Sequence, residues 1–180
     1  MSSSPEIKLR FDTFYNIIDG KPVSTAETRH GINPATKQAN PDAPVASQDD
    51  LDSAVEAAQR AFKHWSQTTI EERRAALVAY ANAYKELMSD FAKLLTMEQG
   101  KPIAFATAEA EAGYTWITEI AKLSLSDEII IDDEERKVVT RYTPLGLVGA
   151  IVPWNFPIQL ALGKIAPALL AGNTIIVKPS

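Results

Sequence analysis

Hydrophobic residues recur at helical spacing through the middle of the chain, and this pattern begins after Ser47. The Ser47 hydroxyl can cap the first turn of a helix while the Asp50 carboxylate reaches back to the start of that turn. A stripe of apolar side chains then lies on one face, which predicts that this face packs in a core. The stripe contains Leu51, Val55, Ala58, Phe62 and Trp65.

Two further helices are predicted after this one. Thr69 and Glu72 repeat the capping arrangement, and apolar residues keep a helical period until Gly100-Lys101-Pro102 ends the helix. A third helix is expected from about Ile103 to Leu123. Several aromatic residues are expected to pack between helices, since spacing alone gives no reason to prefer a ligand site. They are Trp65, Tyr80, Tyr84, Tyr114 and Trp116.

Short strand signals precede the helices. Residues 15–18 and 21–23 flank Asp19-Gly20, a dipeptide that supplies the positive φ angles of a tight turn, so they predict a hairpin. Residues 33–44 contain Pro34, Pro41 and Pro44 and predict an irregular connector, because proline lacks a backbone donor.

A second hairpin is predicted after the helices. Residues 129–131 and 138–141 are rich in β-branched residues, and the acidic run 132–135 between them suits a solvated tip. A two-stranded arm of this kind is marginally stable by itself in water. We therefore expect it to protrude and to pair with a second subunit.

The last part of the chain predicts a strand–helix–strand unit. Residues 147–152 are a continuous apolar run, as expected for a parallel strand buried on both faces. A helix is expected from Ile158 to Ala171 and a second strand at 174–177. Open α/β sheets bind ligands at the carboxyl ends of parallel strands, so Asn155 and Lys178 are expected to face one groove.

These two side chains suit different contacts. The Asn155 carboxamide can donate hydrogen bonds to a developing oxyanion, and the Lys178 ammonium can reach ribose hydroxyls or phosphates. Spacing alone leaves simpler roles open, in which Asn155 caps the following helix, Trp154 packs in the interior and Lys178 is an ordinary exposed charge. The chain contains no G-x-G-x-x-G motif, so the unit alone is weak support for dinucleotide binding.

Composition narrows the class of protein. The chain has 180 residues, 46% of them hydrophobic, which suits one domain or slightly more. The net charge of -5 and the scattered Lys and Arg argue against a nucleic-acid partner, and neither a secretory signal nor a membrane span is recognisable. We therefore expect a cytoplasmic protein with small-molecule partners. The sequence contains no cysteine, and its two histidines lack metal-ligand spacing, so no metal site is predicted.

A set of motifs extends over most of the chain. It comprises Asn33-Pro34-Ala35-Thr36, Ala57-Ala58, Ala61-Phe62, Trp65, Glu98-Gln99-Gly100-Lys101-Pro102, Pro144-x-Gly146, Pro153-Trp154-Asn155-Phe156-Pro157, Lys164, Pro167-Ala168-Leu169, Gly172-Asn173 and Lys178-Pro179-Ser180. Together these motifs resemble the N-terminal part of the NAD(P)-dependent aldehyde dehydrogenase superfamily. The resemblance implies an α/β fold, with an incomplete Rossmann-like dinucleotide-binding domain, N-terminal helices and a protruding β-hairpin oligomerisation arm.

The resemblance also implies roles for single residues. Asn155 would contribute, with a backbone amide, to the oxyanion hole, and Lys178 would contact the adenosine ribose. The residues implied in cofactor binding are Ile151, Val152, Pro153, Trp154, Lys178 and Ser180. The implied cofactor is NAD or NADP, the implied substrate is an aldehyde, and the full-length form would be a homo-oligomer assembled through residues 128–142.

The family's reaction requires a cysteine thiolate and a glutamate general base. The chain has no cysteine and no E-L-G-G-K motif. We therefore expect an N-terminal fragment that is inactive alone; the alternative is a noncatalytic interaction module that associates with a full-length relative. The expected division is a disordered terminus at 1–13, a hairpin and helical part at 14–127, the oligomerisation hairpin at 128–142 and the first βαβ unit at 143–180.

Overall fold

The structure is a computed structural model that describes residues 11–124 and 126–180. Most of the disordered terminus expected at 1–13 falls on residues 1–10, which lie outside the described residues. The elements in chain order are β1 Asn16–Ile18, β2 Lys21–Val23, β3 Glu27–Arg29, β4 Ala43–Val45, α1 Gln48–Trp65, α2 Ile70–Gln99, α3 Ile103–Ile120, β5 Glu128–Asp132, β6 Lys137–Thr140, β7 Leu147–Ile151, α4 Pro157–Leu170 and β8 Thr174–Lys178. The α/β class is confirmed.

The two predicted capping pairs begin α1 and α2. The Asp50 amide donates to the Ser47 hydroxyl over 3.2 Å, and the Ser47 amide donates to the Asp50 carboxylate over 2.8 Å. Thr69 and Glu72 repeat both bonds, at 3.2 and 2.7 Å. Backbone donation from Ser47 and Thr69 lowers the pKa of the Asp50 and Glu72 carboxyls. These bonds satisfy donors that a first helical turn otherwise leaves unpaired.

The turn between α2 and α3 depends on Gly100. Its φ is 70°, the left-handed conformation, and its amide donates to the Thr96 carbonyl over 2.9 Å. A Cβ at this position would lie 2.6 Å from Pro34 Cγ, so the turn at residues 33–36 packs directly against it. Glycine is therefore required here for both its φ angle and its lack of a side chain.

Helix α3 ends at Ile120, about one turn before the predicted end at Leu123. The Lys122 and Leu123 amides donate to the carbonyls of Glu119 and Ile120, three residues earlier in each case. The last turn therefore tightens out of the α-helical pattern, as helix ends often do.

The main core lies where α2, α3 and α4 pack together. Its buried members are Leu77, Ala81, Tyr84, Ile117, Ala121, Leu162, Ala166 and Leu170. The Tyr84 hydroxyl donates to the Ala110 carbonyl over 3.0 Å, and burial raises the pKa of this phenol. The aromatic packing predicted from sequence is incomplete in this chain, because Tyr80 and Trp116 remain 38% and 39% exposed.

The N-terminal strands form two antiparallel pairs. β1 pairs with β2 across Asp19 and Gly20, whose φ angles of 53° and 71° are those the predicted turn requires. β3 pairs with β4, so the prediction of an irregular connector was wrong at its end, where Pro44 pairs with Thr28. A strand of a two-stranded sheet has one unpaired edge, which tolerates a residue without an N–H.

β5 and β6 also pair, with a register irregularity between Ile129 and Ile131. The Arg141 guanidinium holds the Asp127 carboxylate at the base of this hairpin through bonds of 2.5 to 3.1 Å, and it lowers the pKa of Asp127. Four apolar side chains of the hairpin are exposed, while Ile131 is half-buried. The exposed fractions are 54% for Ile129, 55% for Ile130, 40% for Val138 and 37% for Val139.

The strand–helix–strand unit has the predicted parallel pairing. β7 and β8 pair from Leu147 with Thr174 to Ile151 with Lys178, and α4 connects them. Burial of β7 on both faces was wrong within this chain: Ala150 and Val152 are each 3% exposed, but Ile151 between them is 77% exposed. Successive strand residues point to opposite faces, so one face is covered far better than the other.

Among the helices in the part of the chain that the structure describes, none is both long enough and apolar enough to cross a membrane.

Candidate functional site

The candidate site begins at the carboxyl ends of β7 and β8. Ile151 pairs with Lys178, and the Val152 amide donates to the Lys178 carbonyl over 3.0 Å. The loop that carries Asn155 therefore leaves the sheet beside the end of β8. This is the edge at which open α/β sheets bind ligands.

Asn155 lines a cavity of about 550 Å³ between this loop and the turn that joins α2 to α3. The lining residues are Gln99, Gly100, Lys101, Pro102, Phe105, Ala108, Glu109, Trp154, Asn155, Phe156 and Gln159. Lys178 lies outside this set, so the cavity does not itself join the two polar residues. Their shared groove stays a prediction.

The other residues predicted at the cofactor edge differ in exposure. Ile151 and Trp154 are 77% and 72% exposed, and Pro153, Lys178 and Ser180 are also exposed. Val152 is buried and supports the strand from inside. Trp154 therefore does not pack in the interior of this chain. Exposed apolar surface next to an ammonium group suits a ligand that has both apolar groups and hydroxyl or anionic groups.

The helix cap considered for Asn155 was also wrong, because Glu109 of α3 provides it. The Glu109 carboxylate accepts from the Ile158 amide over 2.9 Å and from the Gln159 amide over 3.4 Å. Pro157 occupies the first turn, where a missing N–H costs nothing. The Glu109 side chain is 0% exposed, and a carboxylate at a helix N-terminus also gains from the helix dipole. The Asn155 carboxamide is thereby left for other contacts.

Lys101 connects this cap to the loop. Its ammonium pairs with the second oxygen of Glu109 and donates to the Asn155 carbonyl over 2.8 Å. The same ammonium lies 4.3 Å from the centre of the Phe156 ring, within cation–π range. The neighbouring Gln99 side chain donates to the Trp154 carbonyl. The turn at 99–101 therefore holds two successive carbonyls of the loop.

Sequence reasoning did not assign roles to Lys101 and Glu109. Lys101 was part of a recognised motif without a function, and Glu109 was not considered. A signal for Glu109 does exist, because it falls on the buried face of α3 with Ala106, Ala110 and Gly113. A carboxylate at a core position needs a buried partner, and the nearby lysine was a candidate.

The chemistry available at the site is hydrogen bonding and electrostatics. The exposed Asn155 carboxamide borders the cavity, with its backbone fixed by Lys101, so it can donate to a negatively charged oxygen. Residues 11–124 and 126–180 contain no group of three or more His, Cys, Asp or Glu side chains arranged to hold a metal ion. The chain has no cysteine to act as a nucleophile.

Comparison with known proteins gives a consistent family match. The model of the aldehyde dehydrogenase family matches residues 22–180. FUS7 of Gibberella fujikuroi, provisionally named an aldehyde dehydrogenase, is 42% identical over 172 residues, which is 96% of this chain and 37% of FUS7. This chain therefore spans little more than a third of the length of that curated relative.

Solved structures match in the same way. An Escherichia coli enzyme described as NADP dependent has a TM-score of 0.87 and 31% identity, over 92% of this chain and 36% of that chain. A double mutant of betaine aldehyde dehydrogenase from Staphylococcus aureus, solved in complex with NAD+, has a TM-score of 0.83 and 34% identity, over 92% of this chain and 34% of that chain.

Proposed function

Because the chain belongs to the aldehyde dehydrogenase family, we propose that it supplies the first cofactor-binding strands and one oxyanion-stabilising group of an enzyme. That enzyme oxidises an aldehyde to a carboxylic acid with NAD or NADP. The observation that carries the proposal is the position of Asn155. It borders a cavity at the end of a parallel strand, and its carboxamide is released from helix capping by Glu109.

In this proposal Asn155 donates a hydrogen bond to the aldehyde oxygen as that oxygen gains negative charge. Loss of such a donor typically slows the chemical step roughly a hundredfold to a thousandfold. The attacking thiolate and the general base would come from residues outside these 180, since the chain has neither a cysteine nor an E-L-G-G-K motif. A nicotinamide cofactor, when bound, accepts the hydride.

The cofactor would lie along the edge formed by β7 and β8. Exposed Ile151, Pro153 and Trp154 would offer apolar surface for the rings, while the Lys178 ammonium would reach the ribose hydroxyls. Ser180 follows two residues later and would border the same ribose. Both cofactors occur among the similar structures, one of which is described as NADP dependent and another of which was solved with NAD+.

The experiment is a fusion of residues 1–180 to the part of FUS7 that lies beyond the matched segment. We expect the fusion to form NADH or NADPH when supplied with aldehydes and NAD+ or NADP+, followed by absorbance at 340 nm. The 180-residue chain alone should form none. A folded fusion that binds cofactor but oxidises no aldehyde in a broad panel would contradict the proposal, as would activity of the purified chain alone.

Lys178 can be tested in the same fusion. Lys178→Ala should raise the KM for the cofactor with little change in kcat, because a ribose contact contributes equally before and during the reaction. Lys63→Ala removes an exposed lysine from the last turn of α1 and serves as the matched control. Equal KM values for the cofactor in the two variants would show that Lys178 does not contact the cofactor.

A second candidate function is a noncatalytic module that associates with a full-length relative. It is favoured by the exposed apolar residues of the β5–β6 hairpin, at which a second subunit could pair. Size-exclusion chromatography with full-length FUS7 tests it: co-elution that is lost in an Ile130→Lys variant supports this role and the oligomerisation arm together. Separate elution at micromolar concentrations would exclude it.

A further inference from the structure

The ion pair of Lys101 and Glu109 is far more buried than the surface pairs of the described residues. Its side chains are 13% and 0% exposed, whereas those of Lys122 and Glu119 are 67% and 60% exposed. Burial of two charges carries a desolvation cost that the pairing often does not recover, so stability alone is a weak reason for such a pair. The groups that the pair contacts point to another role.

Those groups lie on both sides of Asn155. The Lys101 ammonium holds the Asn155 carbonyl at 2.8 Å, and Glu109 holds the Ile158 amide, three residues later, at 2.9 Å. Gln99 holds the preceding carbonyl, that of Trp154. The backbone around Asn155 is therefore fixed before, at and after the residue by side chains from the α2–α3 turn and from α3.

We propose that Lys101 and Glu109 are positioning residues that set the direction of the Asn155 carboxamide. This inference rests on the proposed role of Asn155 as an oxyanion donor. The backbone dihedrals of a residue set the direction of its Cα–Cβ bond and restrict the rotamers open to its side chain, and at Asn155 the backbone is held by the bonds just described. A misplacement of about 1 Å in a catalytic group can cost roughly a hundredfold in rate.

Lys101 and Glu109 hold different groups of the loop, so their contributions can be tested separately. Lys101 bridges the loop to Glu109, so its loss frees the Asn155 carbonyl and leaves a buried carboxylate unpaired. Glu109 also accepts from the start of α4, and a glutamine there can still accept from those amides. Glu109→Gln should therefore retain more function than Glu109→Ala.

The first test is a kinetic comparison in the active fusion enzyme. Lys101→Met should lower kcat by roughly tenfold to a hundredfold, with the KM for the cofactor unchanged, because Lys101 lies in the turn between α2 and α3 and not at the β8 end that carries Lys178. Lys122→Met removes the lysine of the exposed pair and is the matched control, with kcat unchanged. A loss of folded protein with unchanged kcat per active site would show that the pair is only structural and would overturn the inference.

A double-mutant cycle with Asn155→Ala tests whether Lys101 acts through Asn155. If it does, adding Lys101→Met to Asn155→Ala should lower kcat by less than twofold further, since the group being positioned is already absent. Multiplicative losses would overturn the positioning role. If Asn155→Ala alone leaves kcat unchanged, the proposed function itself fails, so the two failures are distinguishable.

Hydrogen–deuterium exchange tests the inference in the 180-residue chain and does not require enzymatic activity. Hydrogen–deuterium exchange should speed up at the Ile158 and Gln159 amides in Glu109→Ala and in Lys101→Met, and only slightly in Glu109→Gln. Glu119→Gln, in the exposed pair, should leave these amides unchanged. Unchanged exchange at residues 158–159 in both Glu109→Ala and Lys101→Met would contradict the inference even if the fusion were inactive.

Discussion

The helical layer and the strands of this protein differ in how much of their apolar surface the chain itself covers. Leu77 and Ile117, from α2 and α3, are 1% and 0% exposed. By contrast, Ile130 in the β5–β6 hairpin is 55% exposed, and Ile151 at the end of β7 is 77% exposed. The helices therefore form a core by themselves, whereas the strands present surfaces that suit cofactor, further strands or a second subunit.

The largest expected difference comes from truncating one apolar side chain in each region. Leu77→Ala should lower the free energy of unfolding by about 2–5 kcal/mol, because it removes buried contacts and leaves a cavity. Ile130→Ala in the hairpin should change it by less than about 0.5 kcal/mol. Urea denaturation of the 180-residue chain measures both. Equal losses would mean that the hairpin belongs to the same cooperative core.

Two glycines, one in the helical layer and one in a strand, give a second comparison between these regions. A Cβ at Gly163 in α4 would lie 2.0 Å from the Trp116 ring, whereas one at Gly149 in β7 meets no described atom within 4 Å. Gly163→Ala should therefore destabilise the chain by about 1–3 kcal/mol, through displacement of the ring. Gly149→Ala is the control, within about 0.5 kcal/mol of the parent in thermal unfolding. A stabilised Gly163→Ala variant would show that Trp116 is not packed there.

Tyr84 gives the helical core a dependence on alkaline pH. Burial raises the pKa of Tyr84 above the ordinary value of 10.0, so the fold favours the protonated phenol. This contribution to stability is fully present below pH 10.0 and is lost as the pH rises further. Tyr84→Phe should cost about 0.5–1.5 kcal/mol at pH 7 through the lost bond to Ala110, and it should flatten the decline in stability above pH 10.

Tyr142→Phe is the control for that measurement, since Tyr142 is 66% exposed. Denaturant curves from pH 8 to pH 11 should be the same for Tyr142→Phe and the parent chain. A decline equally steep in Tyr84→Phe would assign the alkaline effect to another group.

The smallest expected effect is at the base of the hairpin. Arg141 lowers the pKa of Asp127 below its ordinary value of 3.8, so the contribution of this pair is present above pH 3.8 and is lost as the pH falls. Both side chains are on the surface, where ion pairs contribute little. Asp127→Asn should leave global unfolding at pH 7 almost unchanged and speed amide exchange within residues 128–140 only. A clear fall in the midpoint of global unfolding would contradict this.

Local chemistry explains why the helices were predictable from the sequence. Ser47 and Thr69 cap α1 and α2 through bonds within four residues, and Gly100 ends α2. The strand–helix–strand order at the end of the chain was equally clear, because an apolar run bounded by Pro and Gly has few other interpretations.

Features that depend on distant partners were not predictable in this way. β3 and β4 have three residues each and are separated by residues 30–42. Strands this short give little strand signal, so the proline-rich pattern was the main feature of this part of the sequence. The incomplete burial of β7 depends on what covers its second face. Glu109 gains its role from Lys101 and from the start of α4, 49 residues away in the case of Ile158.

The central claim is that Asn155 acts on the reacting carbonyl, and kcat of the Asn155→Ala fusion enzyme tests it most directly. We expect kcat to fall roughly a hundredfold to a thousandfold, with cofactor KM unchanged. Asn82→Ala, on the exposed side of α2, should keep the parent value. Equal kcat values for the two variants in folded enzyme would contradict the claim.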